Sequence, residues 1–175
     1  MGMSKSYLIE RQIEIDAGHR VTHHGSKCRN LHGHRYKIIA VCVGPLATEG
    51  EQQGMVLDFG FLKEEMLREI HTPCDHALIL WMDDPLLKNF ITDATLIEKE
   101  IRPQIAKMGF YQTNQSAAGS LYIMPTVPTA ENLAAHWFER LQPRVRERSA
   151  NKAHLHQIKV FETPNCMAAY PAHTA

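Results

Sequence analysis

The chain has 175 residues and equal numbers of basic and acidic side chains, 19 of each. No net charge is available to attract nucleic acid or an anionic membrane, so neither partner is expected. No apolar run approaches the ~20 residues that cross a bilayer, and residues 1–15 lack the apolar segment of a secretory signal. We therefore predict one domain over residues 1–175, in the cytoplasm, with its four cysteines reduced.

Two stretches in the N-terminal third have the alternating pattern of half-buried strands. From Leu8 to His19, most odd-numbered positions are apolar, and His19 continues that face at the end of the run. The second stretch covers residues 31–45 and is stopped by Gly44 and Pro45. A turn-rich connection follows, and we expect the two strands to form an antiparallel pair.

Two long helices are expected further along the chain. Asp58 is a predicted N-cap for the first helix, which should end before Pro73. Thr129 is a predicted N-cap for the second helix, over residues 130–147. A last strand is predicted at residues 154–163, where alternate apolar positions again share a face.

Shorter elements are predicted between these. A short strand at residues 55–58 precedes the first helix, and residues 83–110 form two helical pieces broken near Pro103. A polar loop follows at 111–120, and then a short strand at 120–127. This order of elements predicts an α+β fold, in which long antiparallel strands carry helices on one face.

The densest chemistry lies in the stretch KCRNLHGHRY. His32 and His34 are two positions apart at the start of a strand, so both side chains point to one face. His19 can add a third nitrogen if the two strands are neighbours. Three histidines with an open fourth position are typical of a catalytic zinc site. Cys28 is then either the fourth ligand of a closed structural site or a reactive thiol beside an open one.

Three acidic or basic side chains elsewhere have the character of site residues. Asp75 and His76 are adjacent, and a carboxylate–imidazole pair can activate a thiol, although such neighbours are common by chance. Glu162 lies on the apolar face of the last predicted strand. A buried carboxylate needs hydrogen-bond donors, which either a ligand with an amide-like edge or an internal ion pair would supply.

Taken together, these residues resemble the 6-pyruvoyl-tetrahydropterin synthase family. The matching motifs occur in order along nearly the whole chain: AGHR (17–20), KCRNLHGHRY (27–36), GMVLDF (54–59), DHA (75–77), PTAENLA (128–134) and VFET (160–163). Three residues separate Cys28 from His32, which resembles the 6-carboxy-tetrahydropterin synthase branch. The pyruvoyl-forming branch typically has two more residues at this place.

The resemblance implies the tunnelling fold, a small antiparallel sheet with two long helices on one face. It implies homo-oligomers with active sites at subunit interfaces. It also assigns a role to each candidate residue. These roles are zinc ligation by His19, His32 and His34, proton transfer by Cys28 with Asp75 and His76, and pterin binding by Glu162 with Thr129 and Glu131.

The resemblance further implies a carbon–carbon lyase of the queuosine (7-deazaguanine) pathway. Its reaction would convert 7,8-dihydroneopterin triphosphate to 6-carboxy-5,6,7,8-tetrahydropterin, acetaldehyde and triphosphate. Two alternatives stay open, the 6-pyruvoyl-type reaction on the same substrate and a non-catalytic, zinc-stabilised binding module.

The segment from about 78 to 127 is longer than in compact members of the family. We predict that it is a helical insert, either peripheral or one that reshapes the site or the oligomer. Three basic residues near the histidine motif, Arg20, Lys27 and Arg29, are candidates for triphosphate contacts. For each of them, an exposed and solvated charge is the expected state.

Overall fold

The computed structural model describes residues 5–172, and its strands form a single seven-stranded sheet in the order β4-β5-β3-β1-β2-β6-β7. The strands are β1 (Tyr7–His19), β2 (His32–Gly44), β3 (Leu78–Trp81), β4 (Tyr111–Ser116), β5 (Gly119–Met124), β6 (His154–Thr163) and β7 (Cys166–Tyr170). The long strands β1, β2 and β6 lie at residues predicted to be strands.

The predicted pairing of the two N-terminal strands is confirmed. β1 and β2 are antiparallel along their whole length, with Ile13 opposite Ile38 and His19 opposite His32. β6 pairs antiparallel with β2, and β7 with β6. In β1, β2 and β6, alternate residues are buried over much of the strand, because only one face of the sheet carries the helices.

Within the described residues 5–172, four helices, here α1 to α4, accompany the sheet. α1 covers residues 59–74 (Phe59–Met66, Leu67–His71 and Thr72–Cys74), α2 is Leu87–Phe90, α3 covers residues 94–108 (Ala94–Leu96, Ile97–Ile101 and Arg102–Met108), and α4 is Ala130–Arg148. The apolar faces of α1 and α4 share one core with β1, β2 and β6, and Leu62 and Trp137 in it are fully buried. This is the expected arrangement of two long helices on one face.

Two helices continue through prolines that were predicted to end or break them. α1 passes Pro73 and α3 passes Pro103. In each case a π-helical turn lies directly before the proline segment, so that the N–H of Thr72 donates to Leu67 and that of Arg102 to Ile97. The wider π-helical turn interrupts the regular backbone hydrogen-bond pattern just before the proline. The missing N–H of the proline therefore falls where that pattern is already broken, and the helix continues.

Two further sequence predictions are wrong. Residues 55–58 are not a strand, because Val56 and Leu57 are both buried in an irregular segment that leads to the N-cap Asp58. Residues 111–120 are not a loop, since they contain β4, a turn and the start of β5. β4 is an edge strand, and several of its side chains are exposed and polar. Its sequence therefore resembles that of a loop.

The insert is not purely helical. It adds β3, β4 and β5 to the sheet and encloses α2 and α3, with an apolar cluster of its own that includes Leu80, Ile101 and Ile123. β3 runs parallel to β1 and to β5, so the sheet is mixed, whereas β1, β2, β6 and β7 form its antiparallel part. β7 was not predicted, because the last strand was expected at residues 154–163. The β1–β3 contact is at Gly18 and Leu78, one residue from His19. Among residues 5–172, no helix combines the length and apolar character needed to span a bilayer.

Candidate metal centre and active site

The three predicted metal ligands lie together at one end of the β1–β2 pair. His19 is directly opposite His32, and His34 is opposite Ala17 on the same face. One ligating atom from each ring lies within 4.8 Å of the other two. The strand register alone brings the imidazoles together, because alternate residues share a face and the two strands are adjacent.

Backbone carbonyl groups orient two of these rings. Nδ1 of His19 lies 2.7 Å from the carbonyl oxygen of Pro128, and Nδ1 of His32 lies 2.8 Å from that of Asn30. A carbonyl oxygen can only accept, so each Nδ1 carries its proton and each Nε2 keeps a free lone pair. Nε2 of His19 is buried without a hydrogen-bond partner among residues 5–172. A metal ion would satisfy this nitrogen.

Burial keeps two of the imidazoles in the neutral form that binds metals. Desolvation lowers the pKa of His19 to about 4, with help from the charges of His32 and His34 and against the opposing hydrogen bond to Pro128. Desolvation also lowers the pKa of His34, although the negative charge of Glu162 opposes it. Ligands must be unprotonated to bind a metal, so both shifts favour metal binding at neutral pH.

The donor set fits a zinc-type ion with an open coordination position. Imidazole nitrogens suit zinc and several other transition metals. Three histidines without a fourth protein ligand are typical of catalytic zinc sites, whereas structural sites are usually closed by four. The convergent group consists of His19, His32 and His34, and Cys28 is not part of it. The arrangement therefore favours Cys28 as a thiol outside the ligand set.

The ring of Tyr36 contacts the rings of His19 and His34. This residue was not identified from the sequence. Its ring is 5.7 Å from that of His19 and 5.4 Å from that of His34, centroid to centroid. Its hydroxyl group is buried without a partner among the described residues, and desolvation raises its pKa well above the usual range. The one signal in the sequence was its place on the histidine face of β2, which equally fits a core tyrosine.

Glu162 borders the cluster from β6. Its side chain is 25% exposed, and Oε1 lies 3.9 Å from Nε2 of His19. Since His19 is neutral near pH 7, this contact is not an ion pair, and no lysine or arginine of residues 5–172 lies within salt-bridge distance. Glu162 also lines a surface pocket of about 470 Å³ together with His34. Its carboxylate therefore has acceptor capacity free for a ligand.

Asp75 and His76 form a hydrogen-bonded pair docked on β1. Nδ1 of His76 lies 3.0 Å from Oδ2 of Asp75, and Oδ1 of Asp75 accepts the backbone N–H of Asp16 at 2.9 Å. Burial would raise the pKa of Asp75, but these two hydrogen bonds lower it overall. His76 has a left-handed backbone with φ of 57° and an exposed side chain. An ionised carboxylate that orients an exposed imidazole is suited to proton transfer.

Cys28 lies in a short 3₁₀ turn, Lys27–Arg29, between β1 and β2. Its thiol is free and half-buried, and its carbonyl oxygen accepts the N–H of Val21 at 2.7 Å. Within the described part of the chain, no hydrogen bond joins Cys28 to the Asp75–His76 pair. Its partnership with that pair stays a prediction.

The PTAEN segment has a role that the sequence did not reveal. Thr129 caps α4 as predicted, with its hydroxyl oxygen accepting the N–H of Asn132 at 3.3 Å. The preceding Pro128 supplies the carbonyl that orients His19. A backbone acceptor has no side-chain signature, so no residue type indicated this contact. Glu131 lies in the first turn of α4 and is exposed.

The expectation for the basic residues is wrong at Arg20. Lys27 and Arg29 are exposed, as expected. The side chain of Arg20 is only 15% exposed and forms a two-pronged salt bridge with Asp84 of the insert. Asp84 is 64 residues away in sequence, so nothing local indicated that this charge is paired.

Comparison with known proteins decides the family. A sequence model described as 6-pyruvoyl tetrahydropterin synthase matches residues 8–173. The chain belongs to this family. As a member of the family it is an enzyme, and its curated relatives carry the name of a lyase.

Two relatives within the 6-pyruvoyl tetrahydropterin synthase family are named 6-carboxy-5,6,7,8-tetrahydropterin synthase. The protein from Rickettsia conorii is 35% identical over 156 residues, covering 89% of this chain and 94% of the relative. The protein from Haemophilus influenzae is 30% identical over 164 residues, covering 94% and 98%.

Solved structures support the tunnelling fold of the family. An uncharacterized protein from Wolinella succinogenes superposes with a TM-score of 0.69 at 25% identity, covering 95% of this chain and 98% of the other. The 6-pyruvoyl tetrahydropterin synthase of Caenorhabditis elegans superposes with a TM-score of 0.60 at 22% identity, covering 99% and 100%.

Proposed function

We propose that the chain is a zinc-dependent lyase that converts 7,8-dihydroneopterin triphosphate and one water molecule to 6-carboxy-5,6,7,8-tetrahydropterin, acetaldehyde and triphosphate. The observation that carries the metal dependence is the convergence of three histidine nitrogens, one of them buried and unpaired. The names of the Rickettsia and Haemophilus relatives support the carboxy-forming branch, as does the spacing between Cys28 and His32.

His19, His32 and His34 would hold the zinc ion. Zinc bound there would supply Lewis acidity toward the oxygen atoms of the substrate side chain. The hydrogen bonds from His19 to Pro128 and from His32 to Asn30 would keep both rings oriented toward the ion. Burial of His19 excludes water from one side of the site and keeps this ligand unprotonated.

Cys28 would move protons at the substrate side chain. Its thiol is free, half-buried and outside the ligand group, which supports a chemical role rather than a structural one. Asp75 would orient the imidazole of His76, and that imidazole would exchange protons with the thiol or the substrate.

Glu162 would anchor the pterin ring. A carboxylate offers two acceptor oxygens, and the amino-pyrimidine edge of a pterin offers adjacent N–H donors, so a two-pronged hydrogen bond is possible. The lack of a lysine or arginine partner in the described residues supports this use of Glu162. Thr129 and Glu131, at the start of α4, would add further contacts to the pterin, although neither lines the pocket that Glu162 shares with His34.

The remaining parts of the proposal concern the setting of the enzyme. We propose a cytoplasmic homo-oligomer of the queuosine pathway with its active sites at subunit interfaces. β4 and β7 are the two edges of the sheet within residues 5–172. Exposed edges can pair with another chain, which supports association through them.

Product identification tests the proposed reaction. The purified enzyme, loaded with zinc, is incubated with 7,8-dihydroneopterin triphosphate, and the products are identified by mass spectrometry. The proposal predicts 6-carboxy-5,6,7,8-tetrahydropterin and acetaldehyde. A 6-pyruvoyl product would move the chain to the other branch, whereas a zinc-bound protein that never consumes the substrate would indicate a binding module.

A further inference from the structure

The insert reaches the proposed active site through a buried carboxylate, that of Asp84. This side chain follows β3 and is 1% exposed. Its Oδ2 accepts from Nε of Arg20 at 2.8 Å and from the hydroxyl of Thr22 at 2.5 Å. Its Oδ1 accepts from Nη2 of Arg20 at 2.5 Å and from the backbone N–H of Leu86 at 2.8 Å. Both oxygens are therefore fully occupied by donors.

These contacts hold Arg20 and Thr22 in one arrangement. The guanidinium group is a rigid planar fork that matches the two oxygens of a carboxylate. Breaking a buried pair by removing one member leaves an uncompensated charge, which is strongly unfavourable. Burial would raise the pKa of Asp84, but the hydrogen bonds from Arg20 and Thr22 lower it overall, so the carboxylate is ionised at neutral pH.

Arg20 and Thr22 flank the residue that contacts the Cys28 turn. The N–H of Val21, between them, donates to the carbonyl oxygen of Cys28 at 2.7 Å. Nη1 of Arg20 donates to the next carbonyl oxygen, that of Arg29, at 3.4 Å. Two consecutive carbonyl groups of the turn are thus held by the segment that Asp84 fixes.

We propose that Asp84 is a positioning residue, which fixes the Cys28 turn relative to His19 through Arg20 and Thr22. The insert would then contribute to the active site by orienting the thiol, in addition to extending the sheet. This inference rests on the proposed function where it concerns turnover. The position of the thiol, however, is measurable without any substrate.

The experiment compares Asp84→Asn with Asp83→Asn as a matched control. Asp83 is the neighbouring carboxylate, is 43% exposed, and pairs with Arg102 at the surface. Asp84→Asn keeps the size of the side chain but replaces one acceptor oxygen with an NH2 group, which is a donor and would face the donors of the guanidinium group. The control removes a surface charge without touching Arg20.

Two readouts are taken on each variant. The first is the rate of alkylation of Cys28 by iodoacetamide relative to that of Cys166, measured on separated peptides by mass spectrometry. Cys166 is exposed on β7 and serves as an internal reference, while Cys42 and Cys74 are buried. The second readout is kcat and KM with 7,8-dihydroneopterin triphosphate.

We expect Asp84→Asn to change the Cys28-to-Cys166 ratio by about threefold or more and to lower kcat about tenfold, with a smaller change in KM. Asp83→Asn should match the wild type in both readouts. Arg20→Lys keeps the positive charge but loses the fork, so it should shift both readouts in the same direction. This second variant also tests the proposal if Asp84→Asn does not fold.

The proposal is overturned if Asp84→Asn and Arg20→Lys, wherever they fold, keep the wild-type ratio of Cys28 to Cys166 alkylation. A lower melting temperature with an unchanged ratio would show that the salt bridge only stabilises the fold. Failure of the proposed function gives a different result. If the wild-type enzyme shows no turnover but the ratio still changes in Asp84→Asn and not in Asp83→Asn, positioning of the turn is supported independently of the reaction.

Discussion

Nδ1 of His19, at the end of β1, donates to the carbonyl oxygen of Pro128, just before α4, at a distance of 2.7 Å. This hydrogen bond fixes the tautomer, and it leaves the buried Nε2 as the only ring nitrogen available to a metal ion. The residue just before α4 therefore orients a proposed metal ligand that is 109 positions away in sequence. The site depends on how the helix is anchored as well as on the strands.

Removal of one of the three proposed histidine ligands should abolish tight zinc binding. His32 is only partly buried, so His32→Ala should fold while it lowers zinc affinity by a factor of about 100 or more. His154→Ala is a suitable control, since His154 is exposed at the start of β6. Zinc content is measured by elemental analysis after dialysis against a weak chelator. Equal zinc retention in both variants would contradict the assignment.

Loss of the Thr129 cap should destabilise the start of α4. Thr129→Ala removes the oxygen that accepts the N–H of Asn132, and we expect the free energy of unfolding to fall by about 1 kcal/mol. Thr129→Ser keeps that oxygen and should retain most of the stability. Urea unfolding of the three proteins provides the comparison. An unchanged midpoint in Thr129→Ala would show that the cap contributes nothing.

Stability should fall with acidification because of His136, a buried residue of α4. Desolvation, assisted by the positive charge of Arg140, lowers the pKa of His136 to about 3, and its Nε2 is hydrogen-bonded to the hydroxyl of Tyr122 at 2.6 Å. The unfolded chain, with a pKa of about 6.5 for this histidine, binds the proton first. The contribution of neutral His136 is therefore fully present above about pH 6.5 and is lost progressively as the pH falls toward 3.

His136→Gln tests this pH dependence, since the glutamine amide can still form a hydrogen bond with the Tyr122 hydroxyl but does not titrate. Between about pH 6 and pH 4, the wild type should lose up to about 1.4 kcal/mol more per pH unit than the variant. Urea unfolding at several pH values measures both slopes. Parallel slopes would show that His136 is not the group responsible.

Neutralising Glu162 should weaken pterin binding without loss of the metal. Glu162→Gln keeps the shape of the side chain but removes the charge and one of the two oxygens proposed to accept from the pterin edge, so KM should rise about tenfold or more while the zinc content is unchanged. Glu10→Gln is a control, because Glu10 is an exposed carboxylate of β1 paired with Lys159. If zinc is lost in Glu162→Gln, the carboxylate belongs to the metal site instead.

The features that follow from local periodicity could be predicted from the sequence. Alternation in β1 and β2 indicated the face of each histidine, and the predicted pairing made His19 a third candidate ligand. The register that places His19 directly opposite His32 comes from the structure. The caps at Asp58 and Thr129 were also readable, because N-cap side chains are chemically distinctive.

Features that depend on distant contacts could not be predicted. The orienting carbonyl of Pro128 has no side-chain signature, and the pairing of Arg20 with Asp84 joins the segment after β1 to the insert across 64 positions. Pro73 and Pro103 were misjudged because single-residue rules do not anticipate the π-helical turns before them. Tertiary structure overrides local preference at each of these places.

Cys28→Ala tests the central claim, an open three-histidine metal site with a separate reactive thiol. Zinc per chain and product formation from 7,8-dihydroneopterin triphosphate are measured on the same preparation as the wild type. The account predicts an unchanged zinc content of about one ion per chain and a loss of turnover by a factor of about 100 or more. Loss of zinc together with unfolding in Cys28→Ala, with no substrate consumed by the wild type, would contradict it and identify a closed structural site.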